Sequence, residues 1–177
     1  MYWENVQGFF DFNGIYDDAV NRFDNSIFVE VGTWKGRSAI YMAEKIKGSQ
    51  KNIKFYTIDI FEYEGEYENF KTDSDSFYEE VLQNIEPVKE FINVLKGCSL
   101  DVCNQFEDES IDFLFLDGDH SYEGVKNELE LWFPKVKIGG IISGHDYSQP
   151  CGVKQAVNEF FSSGITKKGT SWLVNKL

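Results

Sequence analysis

Apolar residues along this chain follow two alternating rhythms. The runs SIFVEVG, KFYTIDIF, FINVLKG, IDFLFLDG and GGIISGHDY are short and rich in β-branched and aromatic residues, and they read as buried strands. Between and after them, SAIYMAEKI, SFYEEVLQNI, SLDVCNQF, SYEGVKNELELWF and GVKQAVNEFF carry apolar positions at helical spacing. That alternation predicts a parallel sheet with helices on both faces, a three-layer α/β fold. An aromatic arm of about residues 1–24 precedes the first strand and contains a further helix near Ile15 to Arg22. Pro134 and the pair Gly139-Gly140 punctuate the fourth and fifth units. After the last helix, ITKKGTSWLVNKL holds two short extended runs around Lys168-Gly169, which predict a hairpin adding antiparallel structure to the sheet edge. The polar stretch from Glu62 to Ser76 breaks the pattern and is expected to be a loop placed to act as a lid.

At 177 residues, with no internal repeat or linker, the whole chain 1–177 is expected to form one domain. The formal net charge of -13 disfavours a polyanionic partner, so no nucleic-acid substrate is expected. Acid is concentrated between Asp59 and Glu80, where only Lys71 is basic, a pattern of solvated loops. Cys98, Cys103 and Cys151 include no C-x-x-C pair, which points away from a disulfide framework or a cysteine zinc site and toward reduced thiols. With no basic, apolar leader and no segment long enough to span a bilayer, the expected location is cytoplasmic, without membrane contact. The aromatic arm, if exposed, would offer a homodimer contact.

The chemistry-bearing residues gather where an open α/β sheet collects ligands, at the carboxyl ends of its strands. In VEVGTWKGRS, Gly32 and Gly36 flank the turn after the first strand, where missing side chains let a ligand approach the backbone and the following helix N-terminus. Asp59 ends the second strand, as expected for a carboxylate that accepts hydrogen bonds from ribose hydroxyls. The two glycines alone equally fit a plain tight turn; their setting after VEV, with Asp59 at the next strand end, points to a nucleoside-containing ligand. The G-x-G-x-x-G spacing of nicotinamide enzymes is absent, and Trp34 and Lys35 fill the middle of the turn, favouring S-adenosylmethionine (SAM) over NAD.

A second cluster comprises Asp117, Asp119 and His120 after the fourth strand and His145 and Asp146 after the fifth, and it contains both histidines of the chain. Three carboxylates and two imidazoles suit proton removal or metal binding. His120 is the preferred general base, because imidazole titrates near neutral pH, with His145 as the second candidate. The structural alternative is that Asp117 and Asp146 cap loops, Asp119 caps the helix at SYEGV and His120 is a hydrogen-bonded loop residue.

Taken together, VEVGTWKGRSA, FLDGDHSYEGVKNELELWFPKVKIGGIISGHDY and GVKQAVNEFF resemble the class I SAM-dependent methyltransferases of the small Methyltransf_24 type over most of the chain. The resemblance implies a Rossmann-like, doubly wound seven-stranded sheet of order 3-2-1-4-5-7-6 with strand 7 antiparallel. It places Glu30, Gly32 and Gly36 around the methionine part of SAM, with Thr33, Trp34 and Ser38 of the same segment and with Asp117 and Gly118 beside the cofactor. Asp59 would hold the ribose, and Cys98 and Ser99 would flank the adenine. Family members often carry an acid where this chain has Cys98; Ser99 either replaces that contact or caps its helix.

Asp117, His145 and Asp146 match by position the ligands of cation-dependent O-methyltransferases that this group resembles. Oxygen ligands suit Mg²⁺, whereas a histidine nitrogen shifts the preference toward Mn²⁺. The implied activity is methylation of a small hydroxylated acceptor, a sugar or a phenolic metabolite. Two other readings stand beside it: an iron-dependent oxidation, since cephalosporin-hydroxylase-like proteins look similar around these motifs, and a non-catalytic module that binds SAM, a nucleotide or a partner.

Overall fold

The computed structural model describes residues 2–62 and 74–177. Five parallel strands, β1 (Ser26–Val31), β2 (Ile53–Asp59), β3 (Asn93–Lys96), β4 (Ile111–Leu116) and β5 (Val136–Gly144), are joined to an antiparallel hairpin, β6 (Thr166–Lys168) and β7 (Ser171–Asn175). The sheet order is β3-β2-β1-β4-β5-β7-β6, as the resemblance implies, with β7 antiparallel to β5. Six α-helices accompany the described strands: α1 (Asn13–Arg22), α2 (Arg37–Ser49), α3 (Ser74–Ile85), α4 (Ser99–Val102), α5 (Tyr122–Trp132) and α6 (Val153–Phe160). None of them is long and apolar enough to cross a membrane.

The central strands are nearly continuous apolar runs because both of their faces are covered. On one face Phe28, Phe55, Phe113 and Phe115 pack against α1, α2 and α3. On the other, Val29, Ile58, Leu114 and Ile142 meet Val125, Leu129 and Trp132 of α5 and Val157 of α6. Strand β1 pairs with β2 on one side and β4 on the other, so the crevice where strand order reverses opens beyond Val31 and Leu116.

Two expected boundaries move. Gly139-Gly140 does not begin the fifth strand; β5 starts at Val136, and the pairing with β4 shifts register between Ile111 and Phe113. Gly139 takes the left-handed φ of 82° that such a bulge requires. The helix expected at SLDVCNQF is a single α-turn that tightens into a 3-10 turn at Cys103–Gln105. Most of the loop expected at Glu62 to Ser76 lies outside the described residues, and its end from Ser74 belongs to α3.

The aromatic arm turns inward. Phe12 is buried, stacks on Phe115 with ring centroids 4.3 Å apart and stands 5.1 Å from the ring of His145. Arg37 holds the arm by donating to the Gly8 carbonyl at 2.7 Å while its guanidinium lies over Trp3. Tyr2 and Phe9 are the rings of the arm left exposed.

Candidate active site

The turn after β1 is shaped by contact with the loop after β4. Gly32 has φ 89°, and a Cβ built there would stand 2.0 Å from the Asp117 carbonyl oxygen, so only glycine fits. Asp59 fixes the rest of this turn. Its Oδ2 accepts from the Thr33 and Trp34 amides at 2.8 and 2.9 Å, and its Oδ1 accepts from the Phe61 amide at 2.9 Å. Trp34 is thereby held at φ 44°, unusual for a bulky residue. A carboxylate offers about four acceptor sites, so Oδ1 keeps capacity for another donor.

Beneath the turn lies a buried polar network. The Glu30 carboxylate accepts from Tyr16 Oη and Thr57 Oγ1, each at 2.6 Å, and Thr57 also pairs with the Thr33 hydroxyl. Glu30 supports the turn from below and is not on the cavity wall. Burial raises its carboxyl to about 7, against the opposing pull of hydrogen bonds from Ser38, Thr57 and Tyr16. The folded protein therefore keeps a proton that the unfolded chain releases near 4.5. The associated stabilisation is complete below that value and is lost as pH rises through about 7, a change of about 3 kcal/mol. Glu30→Gln cannot ionise. The urea-derived stability of wild type minus that of the variant is expected to fall by about this amount between pH 4.5 and 8, and a flat difference would show that Glu30 titrates normally.

The acids and histidines expected after β4 and β5 do converge. His120 Nε2 lies 3.3 Å from Asp117 Oδ1 and 3.3 Å from Asp146 Oδ2. Burial pushes the Asp117 carboxyl up, while the hydrogen bond from His120 and the charges of His145 and His120 pull it down. The hydrogen bond to Asp117 raises His120 above the ordinary imidazole value against partial burial. His145 is engaged at both ring nitrogens. Its Nε2 meets Asp11 Oδ1 and Thr170 Oγ1, each at 3.0 Å, and its Nδ1 lies 3.3 Å from Asp146 Oδ1. Asp119 stands apart from this group: its Oδ1 accepts from the Ser121 amide at 2.7 Å, while Ser121 itself caps α5 by accepting from Gly124.

Among the described residues, Asp117, His120 and Asp146 each offer a donor atom within 4.8 Å of the other two. Donors of one octahedral cation stand roughly 3 Å apart, close to the spacing of His120 from its two carboxylates. The residues thus fit a divalent ion. The histidine in this set is His120, where the sequence reading had His145; His145 lies beside it, with Nδ1 3.7 Å from Asp117 Oδ1 and 3.3 Å from Asp146 Oδ1, while its Nε2 is engaged by Asp11 and Thr170.

A cavity of about 1050 Å³ joins these parts at the carboxyl ends of the strands. Gly32, Thr33, Trp34, Ser38, Asp59, Cys98, Ser99, Asp117 and Gly118 line it, as do His120, His145 and Asp146. Gly36 does not; it is the N-cap of α2, buried at φ 90° against Ile85. Gly8, Phe9, Phe10 and Asp11 of the arm close one side.

Among the wall residues that escaped the sequence reading are Asp11, Thr170 and Glu128. Glu128 is only 4% exposed, accepts from Ser99 Oγ at 2.6 Å through Oε1, and leaves its buried Oε2 without a partner among the described residues. Burial raises its carboxyl to about 7, and the Ser99 hydrogen bond opposes this. An unpaired buried acceptor costs about 1–3 kcal/mol. A signal for it existed: Val125, Glu128, Leu129 and Trp132 share the buried face of α5, and Glu128 is the one charge on that face. Asp11 and Thr170 gave none, since they meet only through the tertiary fold.

Comparison with known proteins agrees with this geometry. A family model described as a methyltransferase domain matches residues 29–147, and the chain belongs to that family. An uncharacterized protein of Acanthamoeba polyphaga mimivirus is 30% identical over 135 residues, covering 75% of this chain and 58% of the relative. One from Sinorhizobium fredii is 25% identical over 118 residues, covering 67% of this chain and 13% of the relative. The chain thus spans only part of the curated relatives it matches.

Among solved structures, the O-methyltransferase NovP superposes with a TM-score of 0.73 at 20% identity, over 93% of this chain and 78% of that one. The O-methyltransferase TomG of Streptomyces achromogenes, solved with SAM, gives 0.64 at 16% identity over 93% and 79% of the two chains. A TDP-rhamnose 3'-O-methyltransferase of calicheamicin biosynthesis gives 0.65 at 15% identity over 92% and 77%. These likenesses establish the shared seven-stranded fold.

Proposed function

We propose that this chain transfers the methyl group of SAM to a hydroxyl oxygen of a small acceptor, a sugar or a phenol. The observation that carries the reading is one continuous cavity lined both by the glycine turn with Asp59 and by the Asp117, His120 and Asp146 cluster. The spare capacity of Asp59 Oδ1 suits a ribose hydroxyl, and in this reading the methionine end of SAM would lie against the Gly32 turn with the sulfonium toward Asp117. The named O-methyltransferases of the same fold support an oxygen nucleophile.

Transfer is an in-line displacement: the acceptor oxygen forms a bond to the methyl carbon as the carbon–sulfur bond breaks, and S-adenosylhomocysteine leaves. The hydroxyl proton would pass to the other ring nitrogen of His120, Nδ1, while Nε2–H donates to Asp117 and Asp146, which hold the imidazolium that results. The arm residues Phe9 and Phe10 border the cavity beside Asp11. Asp117, His120 and Asp146 would also hold a divalent cation, Mn²⁺ ahead of Mg²⁺ because one donor is an imidazole nitrogen, and when bound it would supply acidification of a hydroxyl group.

Incubation with SAM and a panel of sugars and phenols is expected to release S-adenosylhomocysteine with at least one hydroxylated acceptor. The same assay with EDTA separates the modes: retained activity identifies His120 as an unassisted base, and loss restored by Mn²⁺ identifies the cation. Methyl transfer to amines or thiols but to no hydroxyl would contradict the proposal.

A further inference from the structure

Asp11 is a cavity-wall carboxylate to which the proton and methyl transfers give no task. The arm brings it there, and the hairpin turn holds it: the Thr170 hydroxyl donates to it at 2.9 Å, and His145 Nε2 lies 3.0 Å from its Oδ1. Through His145, whose Nδ1 is 3.3 Å from Asp146 Oδ1, it stands beside the cluster yet outside the Asp117, His120 and Asp146 set. Two neighbours do not fill about four acceptor sites, and the side chain is 57% exposed on the cavity wall, so a fixed carboxylate keeps capacity for a ligand. Two residues earlier, Phe9 lines the same cavity with a ring that is 88% exposed. Asp119 also lines the cavity outside the cluster set, and among the described lining residues Arg37 is the only lysine or arginine. Arg37 is tied to the arm, donating to the Gly8 carbonyl and lying over Trp3. This wall therefore stays acidic whether or not a cation binds the cluster.

We propose that Asp11 selects the acceptor by accepting a hydrogen bond from a hydroxyl other than the one methylated, and that this acceptor is an uncharged pyranose sugar. This rests on the methyl-transfer reading above and narrows its acceptor class. A pyranose carries hydroxyl donors around its edge and an apolar C–H face, which match a fixed carboxylate and the Phe9 ring. A phenol or catechol spends its one or two hydroxyls at the cluster. Its remaining C–H edge would desolvate Asp11, Thr170 and Gln149 of the wall without pairing them. A uronic acid or a phosphate-linked sugar sets a negative charge against Asp11 and Asp119, a like-charge contact that disfavours binding.

The test is S-adenosylhomocysteine release from SAM, with Mn²⁺ present, by wild type, Asp11→Asn and Asp11→Glu. The acceptors are a panel of neutral methyl hexopyranosides, the corresponding uronides, a nucleoside-diphosphate hexose and catechol. Wild type is expected to turn over at least one neutral pyranoside, with kcat/KM at least about tenfold above that of its uronide. Asp11→Asn is expected to raise KM for that pyranoside about tenfold, to keep kcat within about threefold and to narrow the preference over the uronide by at least about threefold. Asp11→Glu, which keeps the charge, is expected to retain most of that preference. A residue that only fastened the arm would leave the ratio of the two acceptors unchanged on substitution, and that result would overturn the assignment of Asp11. Turnover of catechol, a uronide or the nucleoside-diphosphate hexose in preference to every neutral pyranoside would overturn the acceptor class while leaving oxygen methylation standing. Transfer to no hydroxyl at all by folded wild type would overturn the methyl-transfer reading and this inference with it.

Discussion

Replacing Gly32 with alanine is expected to abolish measurable S-adenosylhomocysteine binding and to lower unfolding free energy by roughly 3 kcal/mol or more. The added Cβ would meet the Asp117 carbonyl oxygen at 2.0 Å and its carbon at 2.5 Å, in a residue already held at φ 89°. That carbonyl has little room to retreat, because the Asp117 amide is bonded to the Val31 carbonyl at 2.8 Å, tying the two loops together. The strain therefore spreads the crevice between β1 and β4. Gly36→Ala is the control: its Cβ would reach Ile85 Cγ1 at 3.4 Å, an ordinary contact, so only the left-handed backbone at φ 90° is penalised. Urea unfolding and calorimetry on both variants check this ranking, and equal losses would show that the close approach to Asp117 is unimportant.

Asp117→Asn is expected to slow methyl transfer by about 10³-fold while changing S-adenosylhomocysteine affinity by no more than about threefold. Asparagine keeps the shape of the side chain but removes the charge facing His120 Nε2 at 3.3 Å. The base loses the partner that stabilises its protonated form, whereas the glycine turn and Asp59 remain intact. In the proposed mechanism Asp117 acts through His120, so the double variant Asp117→Asn/His120→Ala is expected to be little slower than the slower single variant. Single-turnover rates and product calorimetry separate the two effects. Multiplicative losses would place the residues in independent roles.

Much of this was legible in the sequence because the central strands are buried on both faces and the helices on one, which writes two different periods into the chain. The hairpin was equally plain at Lys168-Gly169. The carboxyl-end rule then located Gly32, Asp59, Asp117 and His120 in one crevice before any coordinates. What stayed hidden is tertiary. His145 and His120 are equivalent by strand position, and only Asp11, brought by the arm, and Thr170, brought by the hairpin, distinguish them. Glu30 looked like a ligand residue but serves a network with Tyr16 from α1, a partner that no local spacing announces. Gly139 and Gly140 suggested a strand boundary because a bulge and a terminus call for the same residue.

The central claim is that the crevice between β1 and β4 takes a SAM-type nucleoside. Calorimetric titration of the wild-type chain with S-adenosylhomocysteine tests it most directly: one-to-one binding with a dissociation constant on the order of micromolar or tighter is the expected result. Folded protein, verified by a cooperative urea transition, that releases no heat and shows no thermal stabilisation at millimolar ligand would contradict it.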